Sequence, residues 1–185
     1  MPFQFKIKAG ELWDELNEEF ISIPADKTIV IEHSLLSISK WESKWHKIYL
    51  DDKLKMSHEE TLDYIRCMTL TQNVDPNYYR LVDNSTLSEI QEYMNNPYSA
   101  TFFNEIPNGH STKRSEKISS EVLYYYMFKL GIPKDCEKWH INRLQNLIRI
   151  FSIKDAPDQK MNKRQTSDYY RKLNAQRRAQ FKTKG

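Results

Sequence analysis

Ser39-Lys40-Trp41-Glu42-Ser43-Lys44-Trp45-His46-Lys47-Ile48-Tyr49 is the stretch whose reading decides the fold class. Trp41, Trp45, Ile48 and Tyr49 recur at helical spacing and share one face. Ser39 stands three residues before Glu42, the spacing of a capping box, in which each side chain would satisfy an orphan backbone N–H of the first turn. An amphipathic helix is predicted here, and the same device recurs downstream. Ser57 with Glu60 precedes Leu62, Ile65, Cys67 and Met68, and Thr86 with Glu89 precedes Ile90, Tyr93 and Met94. Asp75-Pro76 breaks the chain between two of these helices and Pro97 stops the third.

Further on, residues 104–115 are turn formers and polar groups without periodicity, which predicts an exposed loop. Ser115 is then read as opening a helix that turns Ile118, Val122, Tyr125, Tyr126 and Leu130 inward and ends at Gly131. Pro133 follows at a position where a helix start tolerates proline, ahead of Trp139, Ile141, Leu144, Leu147, Ile148 and Phe151. The two helices are expected to form an antiparallel hairpin joined by Gly131-Ile132-Pro133.

Toward the N-terminus the period is two instead. Phe3, Phe5 and Ile7 alternate with Gln4, Lys6 and Lys8. Apolar segments flank a polar turn within residues 12–23, and Thr28-Ile29-Val30-Ile31 is a β-branched run behind Pro24 and Asp26. The predicted fold is therefore mainly α with a small N-terminal antiparallel β element, an α+β chain. Residues 1–35 form the sheet, 36–155 a helical body and 156–185 a basic arm, helical or disordered.

Charge sets the arm apart. Residues 1–155 hold 19 Lys+Arg against 23 Asp+Glu, a net −4, whereas 156–185 hold 9 against 2, a net +7. Lys160, Lys163, Arg164, Arg171, Lys172, Arg177, Arg178, Lys182 and Lys184 supply the charge, and Tyr169 and Tyr170 are its aromatic members. Two bound states suit that composition. The cations could neutralise nucleic-acid phosphates with the tyrosines stacked on bases, or the arm could lie along an acidic protein groove. A solvated tail is the bland reading. No motif that reads bases accompanies the arm.

Mean hydropathy is −0.77, and no window approaches the roughly 18 apolar residues that span a bilayer, so a membrane partner is not expected. A polar, lysine-bearing start from Met1 to Gly10 predicts no secretory signal. Two cysteines, Cys67 and Cys136, are too few for a disulfide framework and are read as reduced and mostly buried.

Candidate chemistry is sparse. Cys136 and His140 stand four apart, a spacing that lets both reach one metal on a helix. Cys67 with His33 or His46 would have to complete the set, and core packing accounts for each of them, so neither a metal nor another cofactor is expected. Cys136 with a histidine could serve nucleophilic catalysis, yet no nucleophile elbow, glycine-rich phosphate loop or metalloprotease helix accompanies it, and only four glycines are present. A non-enzymatic role is expected, with no catalytic residues assigned. In Tyr124-Tyr125-Tyr126, successive helical residues point about 100° apart, so the three cannot share one core face: either a ring is exposed or at an interface, or the helix is buried on two sides within the domain. Tyr124, Tyr125, Tyr126, Trp139 and Arg143 are the candidate interface, and a homo-oligomer is expected through residues 115–154.

Several strings carry a resemblance. They are Glu32-His33-Ser34-Leu35 with SISKWESKW (37–45), DYIRCMTLTQNV (63–74), SEVLYYYM (120–127), Ile132-Pro133 with CEKWHINRL (136–144), LIRIFSIK (147–154), and the closing pattern from Lys160 to Gly185. In these the chain resembles, nearly end to end, a family of small proteins encoded by tailed bacteriophages among their tail and virion genes. The resemblance implies a tail assembly chaperone or a minor tail component. Such chaperones are small helical proteins that coat the tape measure protein while tail tubes polymerise, in the host cell cytoplasm; a minor tail component would instead remain in the virion tail. No catalytic or ligand residues come with the resemblance. The chain departs from the family pattern in residues 104–115 and at Asp158-Gln159, where the pattern has a second proline. Non-specific nucleic-acid binding through the arm is the alternative from another class.

Overall fold

Alternation at the N-terminus builds β1 (Phe3–Ile7), which pairs antiparallel with β4 (Lys27–Ile31), Phe3 opposite Ile31 and Ile7 opposite Lys27. Phe5, Ile7, Ile29 and Ile31 turn into the core while Gln4, Lys6 and Thr28 face out. The computed structural model describes residues 2–14, 18–101 and 117–154, together with Ser167, Tyr170, Arg171, Asn174 and Arg178. The predicted loop at 104–115 and most of the basic arm lie outside them.

Between β1 and β4 the chain makes a second ladder, β2 (Gly10–Asp14) with β3 (Glu19–Ile23), Gly10 opposite Ile23. The expected antiparallel element is thus two ladders of two strands each. Their separation has a local cause. Two residues, Lys8 and Ala9, join β1 to β2, but three, Pro24, Ala25 and Asp26, join β3 to β4. An unmatched residue on one limb bends a ribbon and breaks its ladder, and Pro24 has no N–H to contribute. Asp26 secures the bend: Oδ1 accepts the Ala9 N–H at 2.8 Å and Oδ2 pairs with Lys6 Nζ at 2.7 Å.

The free edge of β4 is covered by the segment that follows α2 (His58–Met68). Glu32 N–H donates to Met68 O at 2.9 Å, Leu70 N–H to Val30 O at 2.8 Å, and Val30 N–H to Thr71 Oγ1 at 2.9 Å. An open row of strand donors is thereby satisfied.

α1 (Leu35–Trp45) begins earlier than the Ser39–Glu42 spacing suggests. Ser34 is its N-cap and Ser37 its reciprocal partner, with Ser37 N–H reaching Ser34 Oγ and Ser34 N–H reaching Ser37 Oγ at 2.9 Å. A serine at the third helical position satisfies the cap N–H as a glutamate would, so Ser39 falls inside the helix. The helix ends at His46, whose left-handed backbone (φ 52°) carries Ile48 and Tyr49 out of it. α2 starts as read, with Ser57 and Glu60 in a reciprocal capping box. After the short α3 (Asn77–Arg80), α4 (Asn84–Asn95) is capped by Asp83, whose carboxylate accepts the Thr86 N–H at 2.7 Å. Thr86 is therefore inside the helix, and a carboxylate at the positive helix end displaces the predicted Thr86–Glu89 pair.

α5 (Ser120–Lys129) is capped by Ser119; Ser115 lies outside the described residues. Its inward face is Ser120, Leu123 and Met127, while Tyr125 and Ile118, expected inside, are 58% and 42% exposed. Three consecutive tyrosines spread aromatic rings over about 200° of the helix, so periodicity there fails to choose. The choice falls to small Ser120 and unbranched Met127, which let α5 approach α1. The helix closes in a Schellman motif at Gly131 (φ 64°): Ile132 N–H bonds Met127 O at 2.9 Å and Gly131 N–H bonds Phe128 O at 3.2 Å.

No helical hairpin follows. Pro133 leads into a 3-10 stretch, Lys134–Lys138, and α6 (Ile141–Lys154) starts only after it. Both α5 and that stretch pack against α1. α1 is the central element: Leu35, Ile38 and Trp41 are fully buried among Ile29, Ile31, Ile65, Met68, Leu123, Met127 and Leu144. The chain divides into two compact units, Met1–Phe151 and Ser152–Gly185. Within the second, Ser167, Tyr170, Arg171, Asn174 and Arg178 are helical and exposed.

Candidate functional site

Where β4 hands over to α1, three consecutive polar residues, Glu32, His33 and Ser34, are buried. Buried polar groups must find partners, and these draw in residues from three other elements. Glu32 Oε1 accepts the Tyr93 hydroxyl at 2.8 Å, and the His33 N–H donates to that same hydroxyl oxygen at 3.1 Å. His33 Nδ1 lies 2.5 Å from the Tyr64 hydroxyl, and His33 O accepts the Ile141 N–H at 2.7 Å. The Tyr64 ring stacks on Tyr49 at 4.1 Å. His140 sits edge-on to His33 with ring centroids 5.2 Å apart and is flanked by Tyr98 at 4.6 Å. Its Nδ1 accepts the Asn142 N–H at 3.3 Å, which places the proton of the neutral ring on Nε2. Nε2 is buried and has no hydrogen-bond partner among the described residues.

Burial, and after it the neighbouring His140, pushes His33 down to about 3, and burial pushes His140 down to about 4. Both rings are therefore neutral at physiological pH. Burial also raises the phenols of Tyr64, Tyr49 and Tyr93. General acid–base catalysis works best with a pKa near the working pH, and this cluster has moved away from it in both directions. Its geometry is that of a hydrogen-bonded polar lock between β4, α2, α4 and the start of α6, with His140 Nε2 left unpaired among the described residues.

One cleft adjoins it, and a second lies between the end of α1 and the start of α5. The first, of about 410 Å³, lies beside the stacked pair and is lined by Tyr49, Tyr64, Met56, Leu87, Ile90 and Met94 among others. The second, also about 410 Å³, is polar and includes Ser39, Glu42, His46, Lys47 and Ser120. Glu42 is fully engaged there. Its Oε1 accepts the Tyr49 N–H and its Oε2 the Ser120 N–H, each at 2.8 Å.

Of the residues weighed for metal binding, the structure brings His33 and His140 together, with ring centroids 5.2 Å apart. Cys136 and His140 are buried, Cys67 is half-buried, both thiols are free, and among the described residues no group of three metal-binding side chains forms. Burial, then the Asp63 carboxylate, pushes the Cys67 thiol up, away from a reactive thiolate. Among the described residues no helix is long and apolar enough to cross a membrane.

The candidate interface residues separate. Tyr124 is half-buried and donates its hydroxyl to Glu137 Oε2 at 2.9 Å, and Tyr126 is also half-buried. Tyr125 is the exposed member of the three, with Lys129 Nζ 5.7 Å above its ring, and Phe128 beside it is 64% exposed. Trp139 is half-buried under the Arg143 guanidinium, 4.2 Å from the ring centre. In the arm, Tyr170, Arg171 and Arg178 are helical and exposed, whereas Lys160, Lys163, Arg164, Tyr169, Lys172, Arg177, Lys182 and Lys184 lie outside the described residues.

Sequence reading missed the lock as a unit. It weighed His33 and His140 as metal ligands, left His33 otherwise to core packing, and assigned Tyr64 and Tyr93 to no role or to the core. A polar triplet, Glu-His-Ser, directly behind a β-branched run was the available signal, since polar residues at that place need buried partners. It also missed Trp13 and Phe20, which are 45% and 68% exposed on the β2–β3 ladder. No protein-family model matches the chain, and no curated protein and no solved structure matches it either.

Proposed function

We propose that this chain is a bacteriophage tail assembly protein, a non-enzymatic, chaperone-type binder of the tape measure protein or another tail protein in the host cytoplasm. The observation that carries the reading is the outward stripe of α5. Tyr125 and Phe128 are largely exposed, with a lysine over one ring. A helical client presents ridges of apolar side chains, and an aromatic helix face with charge at its margin suits repeated, releasable contacts better than a deep pocket does. The strings that carry the resemblance supply much of the core around α1, including His33, Trp41, Tyr64, Leu123, Met127, His140 and Leu144, so the likeness concerns the whole body and not one motif.

Co-expression with the tape measure gene of the same tail cluster tests the reading. A soluble complex is expected, weakened about tenfold or more by Tyr125→Glu with Phe128→Glu, a loss equivalent to about 1.4 kcal/mol. An insoluble client in the presence of the intact chain would overturn the proposal. Removal of 157–185 asks separately whether the arm holds the client. Mass spectrometry of purified virions distinguishes the structural alternative, which requires the chain in stoichiometric amount. Binding to random duplex with a log-log salt slope of roughly −0.9 per neutralised phosphate would favour nucleic acid instead.

A further inference from the structure

The β2–β3 ladder is one-sided in both charge and packing. Between Gly10 and Ile23 the sequence places Glu11, Asp14, Glu15, Glu18 and Glu19 and no lysine or arginine. One face of the ladder is used within the fold: Ile23 is buried, Gly10 approaches the Leu81 side chain, and Tyr78 Oη donates to Ala25 O at 2.9 Å. The other face presents Trp13 and Phe20, directly opposite each other across the strands and edge to face at 4.8 Å. Glu11 and Glu18 are exposed alongside them. An exposed Trp–Phe pair in an acidic setting selects a ligand with cations and planar groups, because a guanidinium can lie on an indole face while its charge meets a carboxylate.

One segment of this chain has that chemistry. Residues 156–185 carry nine Lys+Arg against two Asp, including Arg164, Arg171, Arg177 and Arg178, with Tyr169, Tyr170 and Phe181. We propose that the outer face of the β2–β3 ladder, at Glu11, Trp13, Glu18 and Phe20, receives the basic arm of another copy of this chain. The contact is heterologous, the ladder of one copy engaging the arm of the next, so each copy offers one receptor and one arm and the assembly extends as a row or closes as a ring. Complementary charge favours fast encounter, and screening makes the association salt-sensitive. The inference goes beyond the proposed tail role and stands without it, since it needs no client.

Full-length protein carrying the photo-crosslinking residue p-benzoylphenylalanine in place of Phe20, mixed in equal parts as unlabelled and 15N-labelled chains, tests it directly. Cross-links from position 20 to peptides within 156–185 that join light to heavy chains are expected. Cross-links confined to chains of one label, or none to the arm, overturn the proposal. In parallel, sedimentation velocity at low salt reads the association. Glu11→Lys with Glu18→Lys is expected to weaken it about tenfold or more, and adding Arg171→Glu with Arg178→Glu to the same chain to restore it. Association that ignores the charge reversal overturns the proposal. Circular dichroism shows whether each variant folds, and the cross-linking result stands on the chain with its native charges.

Discussion

Glu42 Oε2 accepts the backbone N–H of Ser120 at 2.8 Å, across 78 positions of chain. The other oxygen takes the Tyr49 N–H, so one carboxylate ties the segment leaving α1 to the first turn of α5. Its negative charge also sits at the positive end of α5. Glu42→Ala is expected to cost about 2 kcal/mol, because two backbone donors lose a charged acceptor, and Glu42→Gln about 1 kcal/mol. Urea unfolding midpoints check both values, and a Glu42→Ala variant as stable as the parent would show that water replaces the carboxylate without loss.

The helix caps give a contrast within one protein. Ser34→Ala and Asp83→Ala are each expected to destabilise by about 1 kcal/mol, since each removes the acceptor of an orphan N–H. Ser39→Ala and Glu89→Ala, at positions inside the helices, are expected to change stability by no more than about 0.5 kcal/mol. Thermal or urea melts of the four variants decide whether the caps lie at Ser34 and Asp83.

Gly131 and Gly10 should respond oppositely to alanine. A Cβ at Gly131 meets nothing within 4 Å, so the cost of Gly131→Ala comes from the left-handed backbone alone and is about 1 kcal/mol. At Gly10 an added Cβ makes ordinary contact with Leu81 Cδ1 at 3.8 Å, and Gly10→Ala is expected to be neutral or stabilising by up to about 0.5 kcal/mol. Denaturant melts separate strain from space.

Mild acid should find the histidine pair. His33 and His140 have folded pKa values of about 3 and about 4, below the 6.5 of an unfolded histidine. The unfolded chain therefore binds more protons than the folded one between pH 6.5 and about 4, and stability falls as pH drops through that window. Each histidine contributes a slope of up to about 1.4 kcal/mol per pH unit. Asp26, Asp51, Glu60 and Asp83, held below the usual carboxylate range by hydrogen bonds, with lysine partners for the first three, weaken the fold only at lower pH. His140→Gln should roughly halve the slope between pH 6.5 and 4.5, as read by urea midpoints across that range. An unchanged slope would mean that His140 titrates normally.

Local rules settled the parts of this protein that depend on neighbours in sequence. Alternation through Phe3, Phe5 and Ile7, the reciprocal Ser57–Glu60 cap and the positive φ of Gly131 all follow from residues within a few positions of one another. So does the mainly helical α+β class. Several choices depended on distant partners. Two cap spacings competed at the start of α1 and again at α4, and the one that formed placed Ser34 and Ser37 beside buried Glu32 and His33. Tyr125 faces outward because Ser120 and Met127 lie against α1, a preference that three adjacent tyrosines conceal in the sequence. His33, Tyr64, Tyr93 and His140 come from segments up to 107 positions apart. A hydrogen-bonded cluster of that span exists only when packing brings its members together, because the free-energy cost of leaving each group buried and unpaired is set by the tertiary structure and not by its neighbours in the chain.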